Sequence, residues 1–312
     1  MSLADLKALE DTAYNIRLRV LDHSIKNNGG YMSQACSAGE ILAALYGGAL
    51  NLAPVDKPYD PPDFTAVPAP GEDTLNGSVV YGEKAPDRDR LIISPAHYAL
   101  PVYAALIEAG RLAEHSLEQF NQDGSTVEMI GAEHSPGFET TTGSLAQALS
   151  QAGGIALGRK LNKEPGRTWV FMSDGEFQEG QTYEAIQALS YWKLDGVRVI
   201  VDVNEAQCDG PMDTVMNIEP LAERIRAFGG SADVVDGHDL KALTESMTRE
   251  SDKPHFVLAY TDPVHGLPLM QERAPVLHYL RFSSEDERQK YVNAYQEMLA
   301  AAPQTAAPVG KE

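Results

Sequence analysis

Cysteine is nearly absent from this chain: among 312 residues there are two, Cys36 and Cys208, and neither sits in a CxxC or Cys/His metal spacing. That excludes a disulfide framework and a thiolate-ligated metal centre, and it fits a reduced, cytoplasmic compartment. Positive charge is scarce too, with 25 Lys and Arg against 45 Asp and Glu and a formal net charge of −20. A nucleic-acid partner is not expected, because displacing counterions from phosphates requires a basic face. No apolar run approaches the length of a membrane span. The start, MSLADLKALED, lacks the basic flank and apolar core of a signal peptide, so no membrane partner is expected either.

What is present is ordinary for a globular protein: 43% hydrophobic and 22% charged residues, in a chain long enough to bury a large core. The most informative stretch runs from Trp169 to Gly210. Val170, Phe171 and Met172 read as a short buried strand, and Ser173-Asp174-Gly175 as a tight turn at its carboxyl end, where open α/β sheets bind ligands. A helix follows, marked by Tyr183, Ile186 and Leu189, and Gly196 releases the chain into a second apolar strand, Val197 to Val203, which Asn204 ends. Asp174 and Asn204 therefore stand about thirty residues apart, at the ends of two strands joined by one crossover helix, and can face one crevice. Hard oxygen donors beside a glycine, with no Cys or His in the turn, suit Mg²⁺ or Ca²⁺ holding a diphosphate. Taken alone, an Asp-Gly turn is more often only a turn.

The strand, the Asp-Gly, the spacing and the Asn resemble the thiamine-diphosphate motif, and the residues around them are similar to transketolase in its split form. The resemblance implies that the side chains of Asp174 and Asn204 and the carbonyl of Ala206 bind the metal, and that Gly175 meets the diphosphate with Glu176 beside it. Arg90-Leu91-Ile92-Ile93-Ser94-Pro95-Ala96-His97 resembles the family's Arg-Phe-Ile-Leu-Ser-Lys-Gly-His, which implies a place for His97 beside the thiazolium and diphosphate. Pro136-Gly137-Phe138-Glu139-Thr140-Thr141-Thr142-Gly143-Ser144-Leu145 resembles a segment whose glycine and leucine backbone touch the aminopyrimidine, here Gly143 and Leu145. By the same resemblance His134 and His278 are substrate-side histidines, and Glu179 and Glu184 line a dimer interface that links paired cofactors. Two positions depart from the family. Tyr31 stands where a substrate-binding His is usual, and His265 where a Lys is usual, so both are read as substrate determinants. Tyr31 is equally open to a reading as a turn aromatic.

Elsewhere Leu3, Leu6, Leu9, Ala13, Ile16 and Val20 mark an amphipathic first helix, and Ser37-Ala38-Gly39-Glu40 has the form of a capping box opening a second. Residues 51–89 are a long insertion rich in Pro, Asp and Gly without periodicity, of the kind that is a functional loop or disordered. Further strand–helix–strand pattern follows to Tyr260, with Asp236-Gly237-His238-Asp239 read as a turn and helix cap, and a last helix begins near Ser284. The expected architecture is α/β, a parallel sheet with helices on both faces, as a thiamine-diphosphate-binding (PP) domain over residues 1–298 with a disordered tail at 299–312.

The resemblance implies the N-terminal subunit of a two-chain transketolase. Such an enzyme moves a two-carbon ketol unit from a ketose, in phosphorylated form, to an aldose, with His97, His278 and His134 exchanging protons with substrate oxygens. A separate C-terminal, pyrimidine-domain subunit would supply the activating glutamate, most simply in an α₂β₂ assembly. Two other readings stay open: another thiamine-diphosphate enzyme, decarboxylating 2-oxoacids or forming acyloins, and a non-catalytic paralogue that binds a partner.

Overall fold

Two strands of the sheet expose no face to solvent. β1 (Arg90–Ile93), β2 (Thr168–Ser173), β3 (Val197–Val203), β6 (Ser231–Asp236) and β7 (His255–Tyr260) form one sheet in the order β1-β2-β3-β7-β6, with every pairing parallel. β2 and β3 are buried at every position, as strands covered on both sides must be. A separate antiparallel hairpin, β4 (Ala206–Gln207) with β5 (Gly210–Pro211), follows β3. The computed structural model describes residues 2–66 and 76–303.

Alternation along the strands divides the core in two. Phe171, Ile200, Val257 and Ala259 belong to a cluster with residues of α1 (Leu3–Lys26), α2 (Met32–Ala44), α3 (Ala99–Glu108) and α8 (Leu240–Thr248). Val170, Met172, Val199, Val201 and Leu258 point the other way, towards α4 (Gln147–Asn162), α5 (Gly180–Tyr191) and α7 (Leu221–Ala227). A four-residue α6 (Met212–Val215) follows the hairpin, and α9 (Glu285–Ala301) packs on α1. This is the three-layered α/β architecture that the strand–helix alternation predicts.

Two expected boundaries differ, those of the second helix and of the tail. The second helix starts at Met32, not after Ser37, and Tyr31 is its N-cap residue. Ser37 and Glu40 therefore lie inside a helix buried at every one of its 13 positions. Their polar groups serve tertiary contacts rather than a cap, and burial on all sides removes the apolar–polar alternation that would have marked the true start. The 51–89 insertion is partly built into the fold: Tyr59 and Asp63 bridge to Leu112 and Ser125, and the turn Gly77–Tyr81 buries Val80 and Tyr81. Its residues 67–75 lie outside the described residues. The last helix runs to Ala301, past the expected start of the tail, of which residues 304–312 also lie outside the described residues. Asp239 caps α8 as expected, accepting from the N–H groups of Lys241 and Ala242 at 3.0 Å.

Candidate active site

β2 and β3 end side by side, Ser173 opposite Asp202, so Asp174 and Asn204 leave the sheet at one point. Asp174 is 3% exposed. Its Oδ1 accepts from the Gly175 N–H at 2.7 Å and its Oδ2 from the Glu205 N–H at 2.9 Å. Glu205 reaches it because its backbone is left-handed, φ 53°, an unfavourable conformation for a residue with a Cβ. Asn204 turns the other way: its Oδ1 accepts from the Ala206 N–H at 3.0 Å, and its Nδ2 donates to the Tyr98 hydroxyl at 3.0 Å.

Burial, and then the charge of nearby Asp202, push the Asp174 carboxyl up to about 8, against the pull of its two backbone hydrogen bonds. Among the described residues no cationic side chain is one of its hydrogen-bond partners. An all-oxygen set around a buried carboxylate without a counter-charge fits a hard divalent cation. Above Gly175 nothing lies within 4 Å of the place a Cβ would take, which leaves room for a phosphate to approach the backbone.

Beside this pair stands an aromatic cluster. The rings of His97 and His278 lie 4.9 Å apart, and Tyr31 meets His278 at 5.7 Å, His97 at 6.2 Å and Tyr279 at 4.9 Å. Burial, then His278, hold the His97 imidazole down at about 3, and burial lowers His278 as well, so both rings are neutral near pH 7. Burial raises the Tyr31 phenol, with Tyr279 and Cys208 adding to it. His97 and Tyr98 are adjacent in sequence with rings 4.7 Å apart, so the aromatic cluster and the Asp174–Asn204 pair join through Tyr98.

Glu176 is fully buried and braces the loops. Oε1 accepts from the Ser94 hydroxyl and from the Ala146 N–H at 2.8 Å, and Oε2 from the Ser173 N–H at 2.8 Å. Protein donors occupy both oxygens, so this side chain ties β1, β2 and the start of α4 together. It also draws the Gly143–Leu145 loop towards the Asp174 turn. Gly143 has φ 101°, which favours glycine, and the Leu145 carbonyl accepts from Gln181 Nε2 at 3.0 Å.

Other predicted residues lie apart. His134 pairs with Glu128, Nε2 to Oε2 at 2.8 Å, and its ring packs on Phe64 at 4.7 Å; no ring of the Tyr31 cluster meets it. His265 stacks on His238 at 3.8 Å and stands 3.8 Å from a Glu40 oxygen. Burial, His238 and Arg17 lower its imidazole. Glu40 joins α2 to Arg17 of α1 and accepts from His238 at 2.9 Å, while His238 Nε2 accepts from the Asp262 N–H at 2.8 Å. His265 thus borders a buried ion-pair network and has no ring contact with Tyr31 or His278. Glu179 and Glu184 are both exposed, Glu179 at the start of α5 and Glu184 within it.

Sequence reasoning missed Asp202, Tyr98, Gln34 and Tyr279. Asp202 carried a signal, the one carboxylate in a buried strand whose only other polar residue is Arg198, whereas Gln34, which approaches His278 Nδ1 at 3.4 Å, carried none.

The family model described as transketolase, thiamine diphosphate binding domain, matches residues 81–278. The chain belongs to the transketolase family. It is 32% identical over 286 residues to an uncharacterized transketolase family protein of Sinorhizobium fredii, covering 89% of this chain and 92% of that one. It is 27% identical to one subunit of the apulose-4-phosphate transketolase of Phocaeicola vulgatus, covering 85% of this chain and 86% of that one. Human transketolase is 28% identical over 97% of this chain, which spans only 45% of that longer protein. Among solved structures, transketolase from Campylobacter jejuni superposes with a TM-score of 0.69 at 21% identity, covering 97% of this chain and 48% of that one. This transketolase chain thus corresponds to the N-terminal, thiamine-diphosphate-binding part of the longer family members. Among its described residues no helix is long and apolar enough to cross a membrane.

Proposed function

We propose that this chain is the cofactor-binding subunit of a two-chain transketolase that transfers a two-carbon unit from a phosphorylated ketose to an aldose. The observation that carries this reading is the contact from Glu205 N–H to Asp174 Oδ2 at 2.9 Å, which joins the two halves of the motif at one crevice beside His97 and His278. Asp174, the Asn204 amide oxygen and the Ala206 carbonyl would hold Mg²⁺ or Ca²⁺, Gly175 would receive the diphosphate, and Gly143 and Leu145 would border the aminopyrimidine. Thiamine diphosphate, when bound, supplies the chemistry that breaks and remakes the carbon–carbon bond.

The chain's own work is to bind, orient and move protons. His97 and His278, neutral near pH 7, accept protons from substrate hydroxyls and return them. Tyr31 donates a hydrogen bond without taking up a proton, at a position where an imidazole would do both. Glu179 and Glu184, exposed on the single chain, are free to meet a second protomer. A partner carrying the pyrimidine domain is supported by the near-complete coverage of a relative whose own name makes it one subunit of a transketolase. An α₂β₂ assembly would repeat that pairing about a two-fold axis.

The test is reconstitution. The purified chain alone, with thiamine diphosphate and Mg²⁺, should transfer no ketol unit, and adding a pyrimidine-domain chain should establish transfer from a ketose phosphate. Full activity of the chain alone would overturn the two-chain reading, and decarboxylation of 2-oxoacids in preference to ketol transfer would overturn the choice of reaction.

A further inference from the structure

Asp202 is completely buried near the end of β3, and hydroxyl and amide donors from four parts of the chain converge on it. Its Oδ2 accepts from Ser37 of α2 at 2.5 Å, from the Tyr98 hydroxyl at 2.7 Å and from Asn204 Nδ2 at 3.3 Å, and its Oδ1 accepts from Thr261, just after β7, at 2.5 Å. We propose that Asp202 is a positioning residue that fixes which end of the Asn204 amide faces the Glu205–Ala206 backbone. The inference rests on the reading of Asp174, Asn204 and Ala206 as cation ligands.

The two ends of an amide have nearly the same shape, so hydrogen bonding alone decides which way it points. An ionised carboxylate only accepts, so it can only meet the NH₂ end of Asn204. Tyr98 works to the same end. Its one hydroxyl proton is committed to Asp202, so towards Asn204 it presents a lone pair and accepts from Nδ2 at 3.0 Å. Both contacts that hold the amide nitrogen inward therefore depend on Asp202. With Nδ2 turned inward, Oδ1 faces the Glu205–Ala206 backbone, where the Ala206 N–H donates to it at 3.0 Å and the next N–H back, that of Glu205, reaches Asp174.

Removing the carboxylate should do more than loosen this arrangement. Tyr98 would then be free to turn its proton towards Asn204, which favours the flipped amide and presents two N–H donors to a cation that can use neither. Asp202→Asn should preserve the orientation, because its carbonyl can take the three donors on the Oδ2 side while its NH₂ meets Thr261, whose hydroxyl can rotate to accept. Acceptor capacity at this point, rather than charge, is what the site requires.

The experiment measures Mn²⁺ binding to the chain reconstituted with a pyrimidine-domain chain and thiamine diphosphate, by the electron paramagnetic resonance of free Mn²⁺, alongside thermal unfolding of the metal-free chain variants. Asp202→Leu should weaken Mn²⁺ about 10–100-fold, the usual cost of losing a partner that orients a metal ligand, whereas Asp202→Asn should stay within about threefold of wild type. Tyr98→Phe, which leaves Asp202 facing Nδ2, should also cost less than Asp202→Leu. Where Asp202→Leu shows no cooperative unfolding, Asp202→Ser takes its place under the same criterion. Asp174→Asn is the control. Mn²⁺ affinity lost in Asp174→Asn but unchanged in a folded Asp202→Leu would overturn the positioning role alone. Affinity unchanged in Asp174→Asn, or no binding by the wild-type complex, would overturn the cation site itself and the inference with it. Equal losses in Asp202→Asn and Asp202→Leu would also overturn the proposal, because charge and not orientation would then be at work.

Discussion

Gly30 and Leu280 exchange two backbone hydrogen bonds, Gly30 N–H to the Leu280 carbonyl at 3.0 Å and Leu280 N–H to the Gly30 carbonyl at 2.9 Å. The pair ties the turn after α1 to a segment 250 residues away in sequence, and it fixes Tyr31 on one side against His278 and Tyr279 on the other. The approach is close: a Cβ on Gly29 would come within 2.5 Å of the Tyr279 hydroxyl. The aromatic end of the site is therefore held by backbone, and its side chains can be exchanged without moving their supports.

Substrate choice should follow Tyr31. Tyr31→His restores a group that both donates and accepts protons, and it should shift relative kcat/KM between two ketose donors by about 1–3 kcal/mol, the size of a single polar interaction, without altering cofactor affinity. A competition between the donors on both proteins checks this, and an unchanged ratio would make Tyr31 a packing residue.

Cofactor binding should depend on Asp174. Asp174→Ala removes the charged oxygen ligand and should lower the affinity for thiamine diphosphate with Mg²⁺ by at least about 100-fold, more than the loss of an outer-shell partner usually costs. The metal-free variant should melt no lower than wild type, because a buried carboxyl without a cationic partner stabilises little. Titration calorimetry and a melting curve report the two halves of this expectation.

The acid limb of stability should carry a contribution from His97. Its imidazole is held down at about 3 by burial and His278, against an ordinary 6.5. The unfolded chain takes up this proton first, so the contribution is present above pH 6.5 and is lost as pH falls towards about 3. His97→Gln cannot titrate and should flatten that part of the melting temperature against pH, while carboxylates elsewhere keep their own share.

Glu176 should matter for folding more than for binding. Glu176→Ala strands the Ser94 hydroxyl and the Ala146 and Ser173 N–H groups in a buried place, at a cost of about 2–4 kcal/mol, and Glu176→Gln should cost less because one acceptor remains. Urea unfolding of the three proteins would show the order.

Much of this was legible in the sequence, and the reason differs from one element to the next. Val197–Val203 appears in the structure with the boundaries the sequence predicts, and the last strand ends at Tyr260 as expected, because each is a short apolar run bounded by turn residues. The meeting of Asp174 with the Asn204 turn was legible because a parallel crossover fixes which strand ends adjoin. The start of α2 was not, since a helix buried on every side has no polar face to announce its period, and Ser37 with Glu40 imitated a cap. His265 and His134 failed to join the aromatic cluster for a related reason. Spacing along the chain carries no information about whether a loop histidine turns towards a crevice or towards the nearest carboxylate, here Glu40 and Glu128.

The burial of α2 also decides where this site can be altered. At three-residue steps the helix and its N-cap present Tyr31 to the rings, Gln34 to His278, Ser37 to Asp202 and Glu40 to Arg17, and no position along it faces solvent. A substitution within the helix that tilts or rotates it moves all four contacts together, so the aromatic cluster, the Asp202 network and the ion-pair network cannot be tuned separately from there. Mutant libraries aimed at new donors should be drawn from the 278–281 segment and from position 31 itself, at the helix's open end, where a changed side chain alters the crevice and leaves the shaft that supports it in place.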